Sequence, residues 1–200
     1  MRPKLLVATN NAGKIREYHH LLGGIPFDII TPQEAEIDLD VDETGTTFEE
    51  NARLKAKAFA EASGLISLAD DSGLEVDALG GEPGVYSKRY AGEHATDAER
   101  NAFLLNKMSG IPSEARTAYF RCIIAICQPG RETILCEGEC VGEITSAPRG
   151  EHGFGYDPIF CVTETGRTMA ELTPAEKNRV SHRARAAAKA RWHLLIEKEH

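Results

Sequence analysis

The stretch from Leu68 to Asp77 holds residues that could carry out chemistry, because Asp70 and Asp71 follow a short apolar run and precede Ser72-Gly73. Two neighbouring carboxylates at the end of an apolar strand are costly unless a divalent cation or a shared proton neutralises them. The alternative is a helix cap or a turn with the sequence Asp-Asp-Ser-Gly, which is common in soluble proteins. The rest of the chain has to decide between these interpretations.

A lysine lies among apolar residues on one face of a helix predicted from Phe48 to about Ser63. At about 100° per residue, Lys55 shares its face with Phe48 and Phe59, and Asn51 precedes it by one turn. Such a lysine can extend its ammonium group to solvent, or it can point into a pocket that holds an anion. The acidic run at 38–43 is typical of a solvated loop, but together with the downstream Asp-Asp pair it favours the pocket.

The N-terminal segment has the order of a phosphate-binding turn. An apolar run at 4–9 is typical of a strand buried on both faces, and a small polar loop, Asn10 to Lys14, leads from it into a helix. Loop N–H groups, the helix N-terminus and the lysine could together hold a phosphate. The loop is not a Walker A sequence, and many strand–helix turns contain Asn and Gly. We nevertheless predict a phosphate contact at Thr9–Lys14.

Two stretches in the C-terminal third have residues suited to a nucleotide. The segment 149–160 places Phe154 and Tyr156 among glycines, where their rings could stack on a planar base or simply fill the edge of the core. Lys177 and Ser181-His182-Arg183 could serve one pocket only if the helix breaks at Ser181. His182 and Arg183 would then lie in the positive first turn of a new helix, which suits an anion.

The remaining pattern alternates strands with helices and predicts an α/β fold with a central mixed, twisted sheet and flanking helices. Strands are expected at 4–9, 27–30, 65–69, 116–127 and 132–144, and helices after Lys14 and at 184–195. Three further helices are predicted to start at capping boxes, which are Thr47 with Glu50, Thr96 with Glu99 and Thr173 with Glu176. The last two strands should pair as a hairpin with a bulge or bend at Gly138 or Gly142. No repeat or composition shift marks a boundary, so residues 1–200 are expected to form a single domain.

Composition limits the class of function. A net charge of −8 argues against general nucleic-acid binding, although a local basic pocket or a metal could still hold an anionic small substrate. Five cysteines without a CxxC pair are expected to be reduced, as in a cytoplasmic protein. The scattered histidines lack zinc-hydrolase spacing, and neither a signal-peptide pattern nor a membrane-length apolar run is found.

Taken together, these stretches resemble the inosine triphosphate pyrophosphatase family, whose members hydrolyse non-standard purine nucleoside triphosphates. The matching motifs occur in the family's order from residue 5 to about 195. They are Ala8–Lys14, Glu43-Thr44-Gly45, Phe48–Ala52, Lys55-Ala56, Ala69–Leu74, Gly80-Gly81, Pro83–Ser87, Gly153–Pro158 and Ser181-His182-Arg183. Lys88 and Glu151-His152 depart from the family pattern, which bears on fine substrate preference and leaves the chemistry intact.

The resemblance implies an ITPase-like fold with two lobes around a nucleotide cleft, a homodimer, and Mg²⁺-dependent cleavage of ITP, dITP and XTP into nucleoside monophosphate and pyrophosphate. From the net charge and the lack of a long apolar run, we expect no nucleic-acid or membrane partner. The resemblance assigns Asp71 as proton acceptor and metal ligand, with Glu43 the favoured and Asp42 the alternative ligand from the acidic loop. The substrate-binding residues that it implies are Thr9, Asn10, Asn11, Ala12, Gly13, Lys14, Lys55, Ser72, Phe154, Gly155, Tyr156, Asp157, Lys177, His182 and Arg183.

Two rival functions share part of this pattern. A phosphatase or nucleotide pyrophosphatase of the Maf-like group would have a similar strand–loop–lysine start but should lack the Ser-His-Arg segment and the Gly-Phe-Gly-Tyr-Asp loop. A nucleotide-binding sensor without turnover could keep the lysines but would have little use for Asp71 beside a metal. The three are separated by the anion that is released and by which of dITP, XTP, dATP and dGTP release it.

Overall fold

Residues 2–196, which the computed structural model describes, form a seven-stranded sheet with the order β2-β1-β3-β4-β5-β6-β7. The strands are β1 (Lys4–Val7), β2 (Asp28–Ile30), β3 (Ile66–Val76), β4 (Thr117–Cys127), β5 (Ile134–Ile144), β6 (Phe160–Val162) and β7 (Arg167–Thr168). The helices are α1 (Ala12–Leu21), α2 (Phe48–Ser63), α3 (Asp97–Lys107), α4 (Pro174–Val180) and α5 (His182–Ile196). Because β1 pairs in parallel with β2 and β3 while β6 pairs antiparallel with β5 and β7, the predicted mixed sheet is confirmed.

The chain divides into two compact units. Unit 1 comprises the described residues of 1–71, 122–138 and 185–200, and unit 2 comprises residues 72–121 and 139–184. The strands β3, β4 and β5 each contribute residues to both units. The expectation of one domain with two lobes stays a prediction.

Unit 1 has a core on each face of its strands. Side chains of β1 alternate between the two cores, as a strand geometry requires. Leu5 and Val7 belong to the core that contains Tyr18 of α1, whereas Leu6 belongs to the core that contains Ala52 of α2. This arrangement explains why Leu5, Leu6 and Val7 are apolar without alternation.

The strand predicted at 65–69 is longer than expected, because β3 continues to Val76 and includes Asp70 and Asp71 in its interior. The prediction that the acidic pair ends the strand is therefore wrong, and so is the alternative that it forms a turn or helix cap. The strand continues because Leu74 and Val76 resume the alternating pattern and enter the core of unit 2. Since successive side chains of a strand point to opposite faces, the two carboxylates face different sides of the sheet.

The helix starts differ in two details from the prediction. Helix α1 begins at Ala12 and is capped by Asn11, whose Oδ1 accepts from Lys14 N at 3.0 Å. Ala12–Lys14 therefore form the first helical turn and not a loop. At the start of α2, Thr47 accepts from Glu50 N as predicted, but the Glu50 carboxylate accepts from Thr46 N at 2.7 Å, one residue earlier than a capping box requires.

The predicted helix break at Ser181 is confirmed. Helix α4 ends at Val180, and Ser181 has extended backbone angles of φ −70° and ψ 152°. Its hydroxyl accepts from Ala184 N at 3.2 Å, which caps the first turn of α5. His182 and Arg183 therefore begin a new helix.

Unit 2 has a core formed by residues that include Leu74 of β3, Leu104 of α3 and Phe120 of β4. Helix α3 begins with the predicted capping box of Thr96 and Glu99. The five cysteines lie buried in β4, β5 and β6 as free thiols. Within residues 2–196, no helix has the length and hydropathy needed to cross a bilayer.

Candidate functional site

Unit 1 contains a group of charged and polar side chains that we call the carboxylate cluster. Its members are Lys14, Glu43, Asn51, Lys55, Asp70 and Asp71. Lys55 Nζ lies 2.9 Å from Glu43 Oε1 and 3.8 Å from Asp71 Oδ1, and it donates to the Asp70 carbonyl at 2.7 Å. Its side chain is only 13% exposed, so the predicted inward lysine is confirmed and extension into solvent is excluded.

The two adjacent carboxylates have separate partners, as their opposite directions in β3 require. Asp71 Oδ2 accepts from Asn51 Nδ2 at 3.1 Å, and Asn51 Oδ1 in turn accepts from Gly45 N at 2.8 Å. Asp70 Oδ2 instead forms an ion pair with Lys14 Nζ at 3.0 Å. Asp71 therefore belongs to the side of α2 and the acidic loop, and Asp70 to the side of α1.

Burial and charge act in opposite directions on the ionisable groups of the cluster. Burial raises the pKa of Asp71, and this effect together with the nearby Glu43 outweighs the opposing charges of Lys55 and Lys14. Burial would lower the pKa of Lys55, but the charges of Asp71, Asp70 and Glu43 together raise it. Asp71 is therefore a stronger base than an ordinary aspartate, next to an ammonium group that stays charged.

The cluster has the ligand chemistry for a hard divalent cation. Three carboxylates face two ammonium groups, so one negative charge is in excess, and the donors of Glu43 and Asp71 are oxygens. Residues 2–196 contain no group of three or more His, Cys, Asp or Glu side chains arranged to hold a metal. Glu43, and not Asp42, supplies the carboxylate bonded to Lys55.

The predicted phosphate-binding segment lies at the N-terminus of α1. Thr9 Oγ1 accepts from Asn11 N at 3.2 Å, and Asn10 and Ala12 are exposed. The N–H groups of a first helical turn lack intrahelical acceptors and carry partial positive charge, which suits an anion. Lys14, in the same turn, adds a full positive charge.

Unit 2 contains a second group, which we call the aromatic–cation cluster. Its members are Ser72, Phe154, Asp157, Lys177, His182 and Arg183. Lys177 Nζ lies 4.8 Å and the guanidinium carbon of Arg183 lies 5.6 Å from the centre of the Phe154 ring. Arg183 is 2% exposed and donates from Nη2 to Ser72 Oγ at 2.9 Å. Two buried cations thus lie within cation–π distance of one ring.

The two aromatic residues of the glycine-rich loop have different environments. Phe154 is partly exposed, and its backbone N–H donates to Asp157 Oδ2, which also accepts from Lys177 Nζ at 2.6 Å. Tyr156 is buried in the core of unit 2, where its hydroxyl donates to the Ser87 carbonyl at 2.8 Å and burial raises its pKa. Of the two alternatives that the sequence left open, Tyr156 therefore fills the core, and Phe154 is the ring that stays partly exposed.

His182 is also built into unit 2, because its ring stacks on Phe120 with 4.7 Å between centroids and 14° between planes. It is 4% exposed. The sequence did not indicate that Phe120 would contact His182, because only the folded sheet brings β4 next to the start of α5. Asn51 could have been assigned to the carboxylate cluster from the sequence, because it precedes Lys55 by one helical turn and so points in the same direction.

Known proteins match this chain over nearly its whole length. The model of the Ham1 family matches residues 5–193. A dITP/XTP pyrophosphatase of Geobacter sulfurreducens is 52% identical over 191 residues, and one of Geobacillus kaustophilus is 51% identical over 195 residues, with 96% of each chain covered in both cases. The structure of the Staphylococcus aureus Ham1 protein is 43% identical and covers 98% of this chain and 100% of that chain, with a TM-score of 0.87.

These matches run over nearly the whole chain, and they confirm the resemblance that the ordered motifs predict. The fold agrees as well, since the mixed seven-stranded sheet superposes on a Ham1 structure over almost its full length. The chain belongs to the Ham1 family.

Proposed function

We propose that this chain hydrolyses the non-standard purine nucleoside triphosphates ITP, dITP and XTP to the nucleoside monophosphate and pyrophosphate, and so clears them from the nucleotide pool. The observation that carries the proposal is the position of Asp71. This buried carboxylate has a raised pKa and lies beside Lys55 in a chain about half identical to proteins called dITP/XTP pyrophosphatases.

Asp71 is the proton acceptor in this proposal. The oxygen of a water molecule forms a bond to the α-phosphorus, its proton passes to the Asp71 carboxylate, and the α–β anhydride bond breaks as pyrophosphate leaves with the electron pair. The hydrogen bond from Asn51 to Oδ2 fixes the orientation of the carboxylate. The raised pKa increases its capacity to accept the proton.

The phosphates would be held by positive groups of unit 1. Lys14, Lys55 and the first turn of α1 are the candidates, because phosphoryl transfer depends on neutralising and positioning charge. Asp71 and Glu43 would hold Mg²⁺, which supplies further neutralisation of the phosphate oxygens when it is bound. Thr9–Gly13 would contribute backbone and side-chain donors to the same phosphates.

The base would be recognised by the aromatic–cation cluster. Phe154 offers a ring face, and the lysine ammonium and arginine guanidinium near it are hydrogen-bond donors only. A 6-keto group, as in hypoxanthine and xanthine, can accept from such donors, whereas the 6-amino group of adenine presents a donor to them. A site that leaves a buried polar group unpaired with the wrong base can reject that base strongly. Rejection of dGTP would depend on poor accommodation of its 2-amino group.

A substrate panel tests the proposal. The purified chain is incubated with Mg²⁺ and dITP, XTP, dATP or dGTP, and the released anion is identified. Pyrophosphate from dITP and XTP, with little from the other two, supports the proposal. Orthophosphate as the product would favour a Maf-like phosphatase, equal turnover of dATP would remove the base specificity, and binding without turnover would favour a sensor.

The proposal also includes a homodimer and a cytoplasmic location. The dimer follows from the resemblance to inosine triphosphate pyrophosphatases, and the location follows from the nucleotide pool on which such an enzyme acts. Light scattering coupled to size-exclusion chromatography checks the dimer, and a mass of one chain would contradict it.

A further inference from the structure

Side chains of helix α3 form hydrogen bonds with both the N–H and the carbonyl of Gly155. Gly155 N donates to Asp97 Oδ2 at 2.6 Å, and Gly155 O accepts from Asn101 Nδ2 at 3.1 Å. Asp97 and Asn101 are four residues apart and therefore lie on one face of the helix. One turn of α3 thus holds both polar groups of a single residue in the glycine-rich loop.

The burial of Asn101 indicates that the role of its side-chain amide is the hydrogen bond to Gly155 O. Asn101 is 4% exposed, and its Oδ1 is buried without a hydrogen-bond partner among residues 2–196. A buried acceptor without a partner destabilises the fold. An apolar residue would therefore give a more stable fold if packing were the only role of this position. The bond from Nδ2 to Gly155 is the one hydrogen bond that the amide makes in the described part of the chain.

The loop needs such support because Phe154 lies between two glycines with positive φ. Gly153 has φ +80° and Gly155 has φ +63°, and a glycine imposes little restriction on the path of the backbone. The local sequence therefore does not fix the place of the Phe154 ring. Hydrogen bonds to side chains fix the ring instead. Phe154 N donates to Asp157, and Gly155 is hydrogen-bonded to side chains of α3.

We propose that Asp97 and Asn101 are positioning residues that hold Phe154 in place relative to Lys177 and Arg183, and thereby set the affinity for the purine base. The inference rests on the proposed function, in which Phe154 offers the face for the base. Neither Asp97 nor Asn101 takes part in the reaction itself, so their loss weakens binding in the ground state and the transition state alike. Such uniform binding appears in KM and leaves kcat almost unchanged.

Two measurements on the full-length chain test this inference. Asp97→Ala and Asn101→Ala each remove one bond to Gly155, whereas Asn106→Ala removes an exposed amide from the same helix and is the matched control. Hydrogen exchange of a peptide spanning residues 153–157 should become at least about tenfold faster in the first two variants only. The KM for dITP should rise about 5- to 20-fold, with kcat within about twofold of the parent.

A conservative variant separates positioning from general stability. Asp97→Asn keeps an acceptor for Gly155 N and should restore a KM within about threefold of the parent, although it loses the charge that pairs with Arg100. The inference is overturned if exchange at 153–157 is unchanged, if KM is unchanged, or if kcat falls with KM intact.

The two proposals fail in distinguishable ways. If the parent chain releases no pyrophosphate from dITP, the proposed function fails. Hydrogen exchange and calorimetric binding of dITP still decide the positioning role, because neither needs turnover. Faster exchange with an affinity for dITP reduced 5- to 20-fold would support it, and an unchanged affinity would overturn it.

Discussion

Lys55 Nζ and Glu43 Oε1 lie 2.9 Å apart, and this bond joins helix α2 to the acidic loop that precedes it. The same ammonium group donates to the Asp70 carbonyl, so it links the loop, the helix and strand β3. Asp71 Oδ1 lies 3.8 Å away as well, so three oxygen atoms surround the ammonium group. Their charges and dipoles explain why a lysine lies on an apolar helix face. Lys55 supplies one of the two positive charges that oppose the three carboxylates of the cluster.

Replacement of Lys55 should therefore remove most of the activity. Lys55→Ala leaves Glu43 and Asp71 without their shared cation and removes a positive charge proposed to contact phosphate, so we expect kcat/KM for dITP to fall about 10²- to 10³-fold. Lys57→Ala is the matched control, because Lys57 lies on the same helix with 67% of its side chain exposed. Steady-state pyrophosphate release measures both. A Lys55→Ala enzyme within threefold of the control would remove Lys55 from the mechanism.

Asn51 should matter for both rate and stability. Asn51→Ala removes the donor to Asp71 Oδ2 and the acceptor for Gly45 N, and leaves a buried carboxylate less well bonded. We expect kcat to fall about tenfold and the free energy of unfolding to fall by about 1–3 kcal/mol. Urea denaturation and steady-state kinetics measure the two effects. An unchanged kcat would show that the Asn51 bond does not orient the carboxylate for catalysis.

The sequence predicted the residues whose direction depends on local geometry. Helical periodicity placed Lys55 on an inward face, and the joint use of Lys177 and Arg183 required the break that the structure has at Ser181. Capping residues predicted where α2 and α3 begin, because a cap is a bond between residues three positions apart.

The features that were missed depend on contacts between distant segments. The continuation of β3 through Asp70 and Asp71 is stabilised by its neighbours β1 and β4 and by the core of unit 2, none of which a polar tetrapeptide can indicate. The stacking of Phe120 on His182 has the same origin. Periodicity within one segment carries no information about which side chain from another segment will face it.

Removal of divalent cations should abolish turnover and leave the fold intact. Each carboxylate of the cluster already has a partner in Lys14, Lys55 or Asn51, so we expect the fold to be stable without a metal. We expect EDTA to stop pyrophosphate release and Mg²⁺ to restore it, while the Tm without nucleotide changes by less than about 2 °C. Activity that persists in EDTA would contradict the assignment of Glu43 and Asp71, and a large drop in Tm would indicate a structural metal instead.

Glu176, at the start of the helix that carries Lys177, should contribute to stability in a pH-dependent way. A hydrogen bond from Arg167 and bonds from Thr173 lower its pKa from 4.5 to about 2. A lowered pKa means that the stabilisation is present above pH 4.5 and is lost as the pH falls towards 2. Glu176→Gln keeps a cap acceptor but does not titrate, so its deficit in urea midpoint relative to the parent should be larger at pH 6 than at pH 3. An equal deficit at both values would contradict this account.

The most direct test of the central claim is the pyrophosphate released from dITP by Asp71→Asn, measured together with its affinity for dITP. The substitution keeps the shape of the side chain and its capacity to accept from Asn51, but it removes the base. The account predicts that pyrophosphate release falls at least about 10³-fold while dITP still binds within about tenfold of the parent affinity. A variant that releases pyrophosphate at the parent rate would contradict it, because Asp71 could then not be the proton acceptor.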